Sequence, residues 1–171
     1  MENKYRYLAL IFASLAIGLA LPACSNVSDF TGPAPASTMV LLDGSKHSTE
    51  AMKGKVTLVN FWATSCTTCV AEMPQIIASY NQFKSQGFDT VAVAMSYDPP
   101  SYVVNFAQTR ALPFKVAIDN TGTVAKAWGD VKLTPTTYLV NKKGVIVKRY
   151  VGAPDFAAMN ALIGQLLAEK A

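Results

Sequence analysis

The stretch Trp62-Ala-Thr-Ser-Cys66-Thr-Thr-Cys69-Val-Ala-Glu72-Met-Pro74 gathers the reactive side chains of this chain, with two of its three cysteines separated by two residues and a carboxylate three positions further on. Cysteines so spaced can form a redox couple, half of a metal clip or a structural staple. The apolar run VTLVNFW precedes them, and Val70, Met73, Ile76, Ile77, Tyr80 and Phe83 follow at three- and four-residue spacing. That pattern puts the pair on the first turn of a helix leaving a buried strand. Side chains three apart on such a turn have β-carbons about 5 to 6 Å apart, within disulfide reach once the turn tightens. Cys66 falls at the helix amino terminus, where unpaired N–H groups and the macrodipole favour a thiolate, whereas Cys69 lies one turn in and is more covered. The asymmetry makes Cys66 the attacking thiol and Cys69 the resolving thiol, and the product is a Cys66–Cys69 bond.

The competing chemistries are weaker. A staple closing so small a loop stabilises little. Zinc asks for four ligands, and the chain offers this pair and one histidine, His47, in a polar stretch read as a surface loop. Copper(I) is satisfied by two thiolates and stays open as an alternative, as does the reverse, disulfide-forming reaction.

Three blocks organise the chain. Residues 1–23 carry Lys4 and Arg6 ahead of an uncharged apolar stretch from Leu8 to Ala23, the pattern of an export signal. The apolar stretch is short for a membrane span of about 20 residues. It ends in Leu21-Pro22-Ala23-Cys24, which resembles a lipobox, so Cys24 is expected to be the lipid anchor and the mature amino terminus. An anchor of that kind gains about 0.8 kcal/mol per buried methylene. Ser25 after it leans toward the outer membrane, on the resemblance to bacterial lipoproteins. Residues 24–37, rich in Ser, Pro and Gly without an apolar period, read as a tether. Residues 38–171 form the folded domain, in a chain that at 171 residues and 51% apolar composition overall holds one core's worth of sequence.

Within the domain the expected order is a short strand over Met39–Leu42 closed by Asp43-Gly44, a central strand at VTLVNFW, the cysteine helix stopping at Gly87, and a second buried strand at FDTVAVAM. Asp98-Pro99-Pro100 is read as capping a helix near Ser101–Thr109. A short strand at Lys115–Ile118, a short helix through Trp128, an antiparallel hairpin around Asn141–Gly144 and a last helix burying Phe156, Met159, Leu162, Ile163, Leu166 and Leu167 on one side complete it. The result is an α/β fold, a mixed central sheet with helices on both faces and a C-terminal antiparallel hairpin plus helix. The net charge of +4 drops to +3 without residues 1–23 and is too small to argue for nucleic acid.

The motifs FWATSCTTCVAEMP and LTPTTYLVNKKGVIV, in that order, resemble the thioredoxin-like TlpA/ResA group, membrane-tethered thiol:disulfide oxidoreductases of bacteria. The resemblance covers Met39 to Ala171 and implies several things. The cofactor is the Cys66–Cys69 disulfide, with no metal or organic group. Thr134–Pro135 is a cis peptide beside the cysteines, exposing the Thr134 backbone to a substrate strand, and Trp62 closes the strand beside it; Thr134, Pro135 and Trp62 are expected to contact the substrate. Glu72 enters the active-site cavity and takes the Cys69 proton. Pro74 kinks the helix or ends its first turns. The partners are protein thiols and disulfides of the cell envelope, as in cytochrome c maturation or oxidase copper-site assembly, and a membrane thiol-reductase as electron donor. The protein acts as a monomer on the periplasmic side. Departures are Ser65, where a second Trp is common, Thr67-Thr68 in place of a Pro-containing dipeptide, and Asn60, where thioredoxin has a buried acid. Ala63 stands where peroxiredoxins carry Thr or Ser.

The anchor has a direct test. The intact mass of detergent-extracted protein is expected to match a chain starting at Cys24 with diacylglyceryl and acyl additions, and Cys24→Ala to lose them; an unmodified chain with another start would remove the anchor.

Overall fold

The computed structural model describes residues 30–170, so the export signal and Cys24 lie outside the described residues. The elements in chain order are β1 (Gly32–Pro33), β2 (Thr38–Val40), β3 (Lys46–Ser48), β4 (Val56–Trp62), α1 (Thr67–Phe83), β5 (Phe88–Ala94), α2 (Pro100–Thr109), β6 (Lys115–Ile118), α3 (Thr123–Ala127), β7 (Thr136–Val140), β8 (Val145–Val151) and α4 (Phe156–Ala168). Six strands make one sheet in the order β1-β8-β7-β4-β5-β6. β4, β5 and β6 run parallel, and β7 and β8 are antiparallel additions on the other side of β4. The thioredoxin-like α/β architecture expected from the sequence is the one observed.

β4 sits at the centre because its sequence leaves it no wet face: all seven residues are buried. Val56, Leu58 and Trp62 pack with Cys69, Met73 and Ile76 of α1, Val103 of α2 and Met159, Ile163 and Leu166 of α4. Val59 and Phe61, on the opposite face by strand alternation, pack with Val124 and Ala125 of α3, Trp128, Tyr138 and Met39. Phe61, Trp128 and Tyr138 stack at centroid separations of 5.3 to 6.0 Å, and the Tyr138 hydroxyl donates to the Trp128 carbonyl. Such pairs contribute about 0.5–1.5 kcal/mol each beyond their buried area. A 3-10 turn, Lys84–Gln86, extends α1, and left-handed Gly87 (φ 97°) ends it, a conformation that suits a residue without Cβ.

Three details depart from the sequence reading. Packing already involves Phe30, the first described residue, eight residues before the expected domain boundary at 38: Gly32–Pro33 pairs with Ile146 and Val145, and the Phe30 ring meets Tyr138 at 5.7 Å. Gly129 makes room for that ring, since a Cβ there would lie 2.7 Å from it. The segment has no apolar period because one aromatic does the anchoring, and Pro is tolerated on a sheet edge where no ladder N–H is needed. His47 lies in β3 opposite Met39 and is half-buried, where a surface loop was expected. Pro74 does not end its helix, since α1 runs through it to Phe83.

Candidate active site

β4 ends at Trp62, whose carbonyl accepts the Met95 N–H at 3.0 Å, and the chain then turns through Ala63–Cys66, closed by the Cys66 N–H on the Ala63 carbonyl at 3.1 Å. The turn places Cys66 at the N-cap of α1 in extended conformation (φ −87°, ψ 103°). Its Sγ accepts the Cys69 N–H at 3.2 Å, so a sulfur fills the role that an oxygen usually has at a helix start. Cys66 and Cys69 are joined by a disulfide with an S–S length of 2.10 Å and Cα atoms 5.2 Å apart. Cys66 is half-buried between exposed Ser65 and exposed Thr67, while Cys69 is fully buried. The expected asymmetry of access is therefore present.

Glu72 follows one turn on and is only 4% exposed. Its Oε1 accepts from Asn60 Nδ2 at 3.0 Å, and the same nitrogen donates to Thr137 Oγ1 at 2.9 Å. Asn60 reaches the helix because strand alternation puts it on the face of Leu58 and Trp62, and Thr137 is its partner across the β4–β7 ladder. Glu72 Oε2 and Asn60 Oδ1 are buried with no partner. Burial pushes the Glu72 carboxyl up from 4.5 to about 7, against the Asn60 hydrogen bond, which pulls it down. The acid missing at position 60 is thus supplied from the helix, with Asn60 holding it.

Thr134–Pro135 is a cis peptide. Since Phe61 pairs with Thr136, the antiparallel register carries Pro135 across from Trp62, and Thr134 comes beside the turn that holds Cys66. Pro135 is buried, and its carbonyl accepts the Gly152 N–H at 2.8 Å. The Thr134 hydroxyl is 3.2 Å from the Tyr97 hydroxyl. Trp62 does not fit the substrate-contacting role expected of it: it is fully buried, with its ring 5.0 Å from Phe106, and so forms an inner wall. Asp98 also departs from its expected role. The N-cap of α2 is Pro99 without a side-chain bond, and the Asp98 carboxylate turns instead to Thr64.

Sequence reasoning missed Thr137, Tyr97 and the Asp98–Thr64 pair. The strand pattern TTYLV does put Thr137 on the Asn60 face, a polar residue at a core position and the one signal that could have found it. Tyr97 (57% exposed), whose hydroxyl meets Thr134, Leu133 (65%), next to Thr134 in the chain, and Tyr102 (63%), which lines a hollow with Thr64, present apolar surface to solvent. Among the described residues, no group of three or more His, Cys, Asp or Glu side chains gathers to hold a metal. The arrangement is built for thiol–disulfide exchange: a reachable sulfur at a helix terminus, a covered second sulfur, and a buried carboxyl that titrates near neutrality.

Comparisons with known proteins agree with that chemistry. The Redoxin family model matches residues 26–163. The chain is 30% identical over 152 residues to the thiol-disulfide oxidoreductase ResA of Bacillus cereus, covering 86% of this chain and 87% of the relative. It is 36% identical over 110 residues to ResA of Bacillus subtilis, covering 64% and 60%. Among solved structures, a thioredoxin candidate from Neisseria meningitidis superposes with a TM-score of 0.73 at 40% identity, covering 81% of this chain and 90% of that one. StoA of Bacillus subtilis gives 0.64 at 27% identity, covering 75% and 98%. With its helix-start disulfide and these relatives, the chain belongs to the Redoxin family, as a thioredoxin-fold thiol-disulfide oxidoreductase of the ResA type.

Proposed function

We propose that this protein is a membrane-tethered reductase of disulfides in cell-envelope proteins, anchored through Cys24 on the periplasmic side, and that Cys66, Cys69 and Glu72 carry the reaction. The observation that carries the reading is the contrast between the two sulfurs, Cys66 half-buried at the N-cap and Cys69 fully buried with a buried carboxyl one turn on. In the reduced protein the Cys66 thiolate attacks a substrate disulfide, the substrate S–S bond breaks, and a Cys66–substrate disulfide forms while the leaving sulfur takes a proton. Cys69 then gives its proton to the Glu72 carboxylate and attacks the Cys66 sulfur. The second substrate sulfur leaves, two electrons have passed to the substrate, and the Cys66–Cys69 disulfide remains. A thiol donor on the membrane resets it by the reverse exchange.

The substrate is a polypeptide. Thr134, beside the turn of Cys66 and outside any strand, offers backbone groups for an extended segment to pair with. Exposed Tyr97, Tyr102 and Leu133 supply the apolar rim that a protein partner covers. Envelope proteins of cytochrome c maturation or oxidase copper-site assembly fit that class.

The cysteine roles are tested by trapping. Cys69→Ser is expected to accumulate mixed disulfides with a cystine peptide, and Cys66→Ser to give none; faster alkylation of Cys69 than of Cys66 in the reduced protein would reverse the assignment.

Direction is tested by redox titration against glutathione or dithiothreitol. No basic residue lies between the cysteines to hold a thiolate, so a potential below the roughly −180 mV of protein disulfide isomerase is expected. A value near the roughly −120 mV of a strong dithiol oxidant would make the protein an oxidase.

Glu72 has a pH signature. Its folded pKa of about 7 lies above the ordinary 4.5, so between those values the folded oxidised protein holds a proton that the unfolded chain has released. Stability from this group is full below about pH 4.5 and is lost as pH rises through about 7. Glu72→Gln is expected to flatten that slope in denaturant unfolding and to shift the pH profile of mixed-disulfide resolution. Wild-type pH dependence in both measurements would remove Glu72 from the proton step.

A further inference from the structure

The turn that presents Cys66 is held from outside by one residue. Asp98 is only 2% exposed, and both its carboxylate oxygens are committed to Thr64: Oδ2 accepts the Thr64 N–H at 2.6 Å and Oδ1 accepts the Thr64 hydroxyl at 2.6 Å. Short, charge-assisted pairs of this kind are the strong class of hydrogen bond and fix orientation as well as distance. The acid is not there for its own helix, because α2 starts without a side-chain cap and Pro100 in its first turn has no N–H to satisfy. Nor is it a free-swinging side chain. The Asp98 N–H donates to the Met95 carbonyl at 2.9 Å, and the Met95 N–H donates to the Trp62 carbonyl at 3.0 Å. A closed circuit therefore runs from the end of β4 through the Met95–Asp98 turn and back to Thr64, two residues before the nucleophile.

We propose that Asp98 is a positioning residue for the exchange reaction: by clamping Thr64 at both its N–H and its hydroxyl, it holds the Ala63–Cys66 turn so that the Cys66 sulfur stays at the helix N-cap, aimed outward. The turn's own closure is a single hydrogen bond, Cys66 N–H to the Ala63 carbonyl, and Ser65 between them is exposed. Without the clamp, the backbone of Thr64 and Ser65 is free to rotate and carries Cys66 with it. Thiol–disulfide exchange needs the attacking sulfur in line with the bond it breaks, and a displacement of about 1 Å in a reacting group can cost on the order of a hundredfold in rate.

The inference rests on the reading of Cys66 as the attacking thiol, and its test separates the two. The readout is the rate at which the reduced, folded protein forms a mixed disulfide with a cystine peptide, in a Cys69→Ser background, with near-ultraviolet circular dichroism to certify the fold. Asp98→Ala is expected to slow the attack at least about tenfold, and Thr64→Val, which deletes the hydroxyl donor, to slow it in the same direction. Asp98→Asn can accept the Thr64 N–H with its amide oxygen and donate to the hydroxyl with its amide nitrogen. It is expected to stay within about threefold of the parent, as is Thr64→Ser, which keeps both donors. Wild-type rates in both Asp98→Ala and Thr64→Val would overturn the clamp, and so would an Asp98→Asn rate as low as that of Asp98→Ala, which would assign the effect to charge. If Asp98→Ala does not fold, Thr64→Val with its Thr64→Ser rescue decides. Preferential alkylation of Cys69 in the wild-type protein would instead overturn the underlying reading of Cys66, and the clamp with it.

Discussion

A central strand with no exposed face constrains everything else in this molecule. All seven residues of β4 are buried, so neither face of the strand can meet a substrate, and chemistry is possible only where the strand ends. Its parallel neighbour stops level with it, since Trp62 pairs with Ala94 and Ala94 in turn with Ile118 of β6. The loops after β4 and β5 therefore emerge at the same edge, as in open α/β sheets generally, where sites form beyond the carboxyl ends of the strands. The antiparallel β7 begins at that edge and brings Thr134 and Pro135 to it. The helix after β4 must start there, and its positive end faces the same opening. The disulfide, the cis-proline loop and the Met95–Asp98 turn converge because of how one buried strand is flanked.

That burial also explains the unusual polar cluster behind the disulfide. A carboxyl in such surroundings is expensive to hold as an anion unless several donors surround it. Glu72 has one, Asn60, and its second oxygen has none, which is why burial carries its pKa to about 7. An acid at position 60 would have put two titrating groups against each other, with a shared, split titration. Asn60 fixes the carboxyl through a hydrogen bond and adds no charge, so the pocket holds a single proton acceptor poised near neutral pH.

Much of this was legible from residue types and spacing, for physical reasons. Strands buried on both faces are uniform apolar runs, and β4 and β5 read as such; the cysteine helix and α4 showed their stripes at three- and four-residue spacing. Glu72 was placed in the cavity only by the resemblance of its motif to the TlpA/ResA group, since by residue type and position it suits an exposed acid on a first helical turn equally well. What escaped were features whose partners are distant in the chain or whose signal is a single side chain. Asp98 before two prolines looks like a helix cap, and nothing local reveals that Thr64, 34 positions earlier, claims both oxygens. Gly32–Pro33 joins the sheet by backbone pairing with β8 and by one packed aromatic, Phe30, with no period to detect. Trp62 was expected to close the strand beside the site and to contact the substrate with Thr134 and Pro135, but strand alternation turns it inward onto Phe106.

The two sulfurs then differ by geometry more than by chemistry. Cys66 has the helix terminus and the Cys69 N–H, both of which favour negative charge on its Sγ, and it has a path to solvent. Cys69 has neither solvent nor a basic neighbour inside the motif, and Glu72 lies on the same helix face one turn away. A thiolate at Cys69 and a carboxylate at Glu72 would be two negative charges in one buried space, so each opposes ionisation of the other. The stabilisation of the reduced form thus rests on Cys66 alone. A strong oxidant needs a heavily stabilised thiolate to draw electrons from its substrates. A single helix terminus and one N–H supply that stabilisation at Cys66, and on that physical ground the reductase direction is proposed rather than the oxidase one.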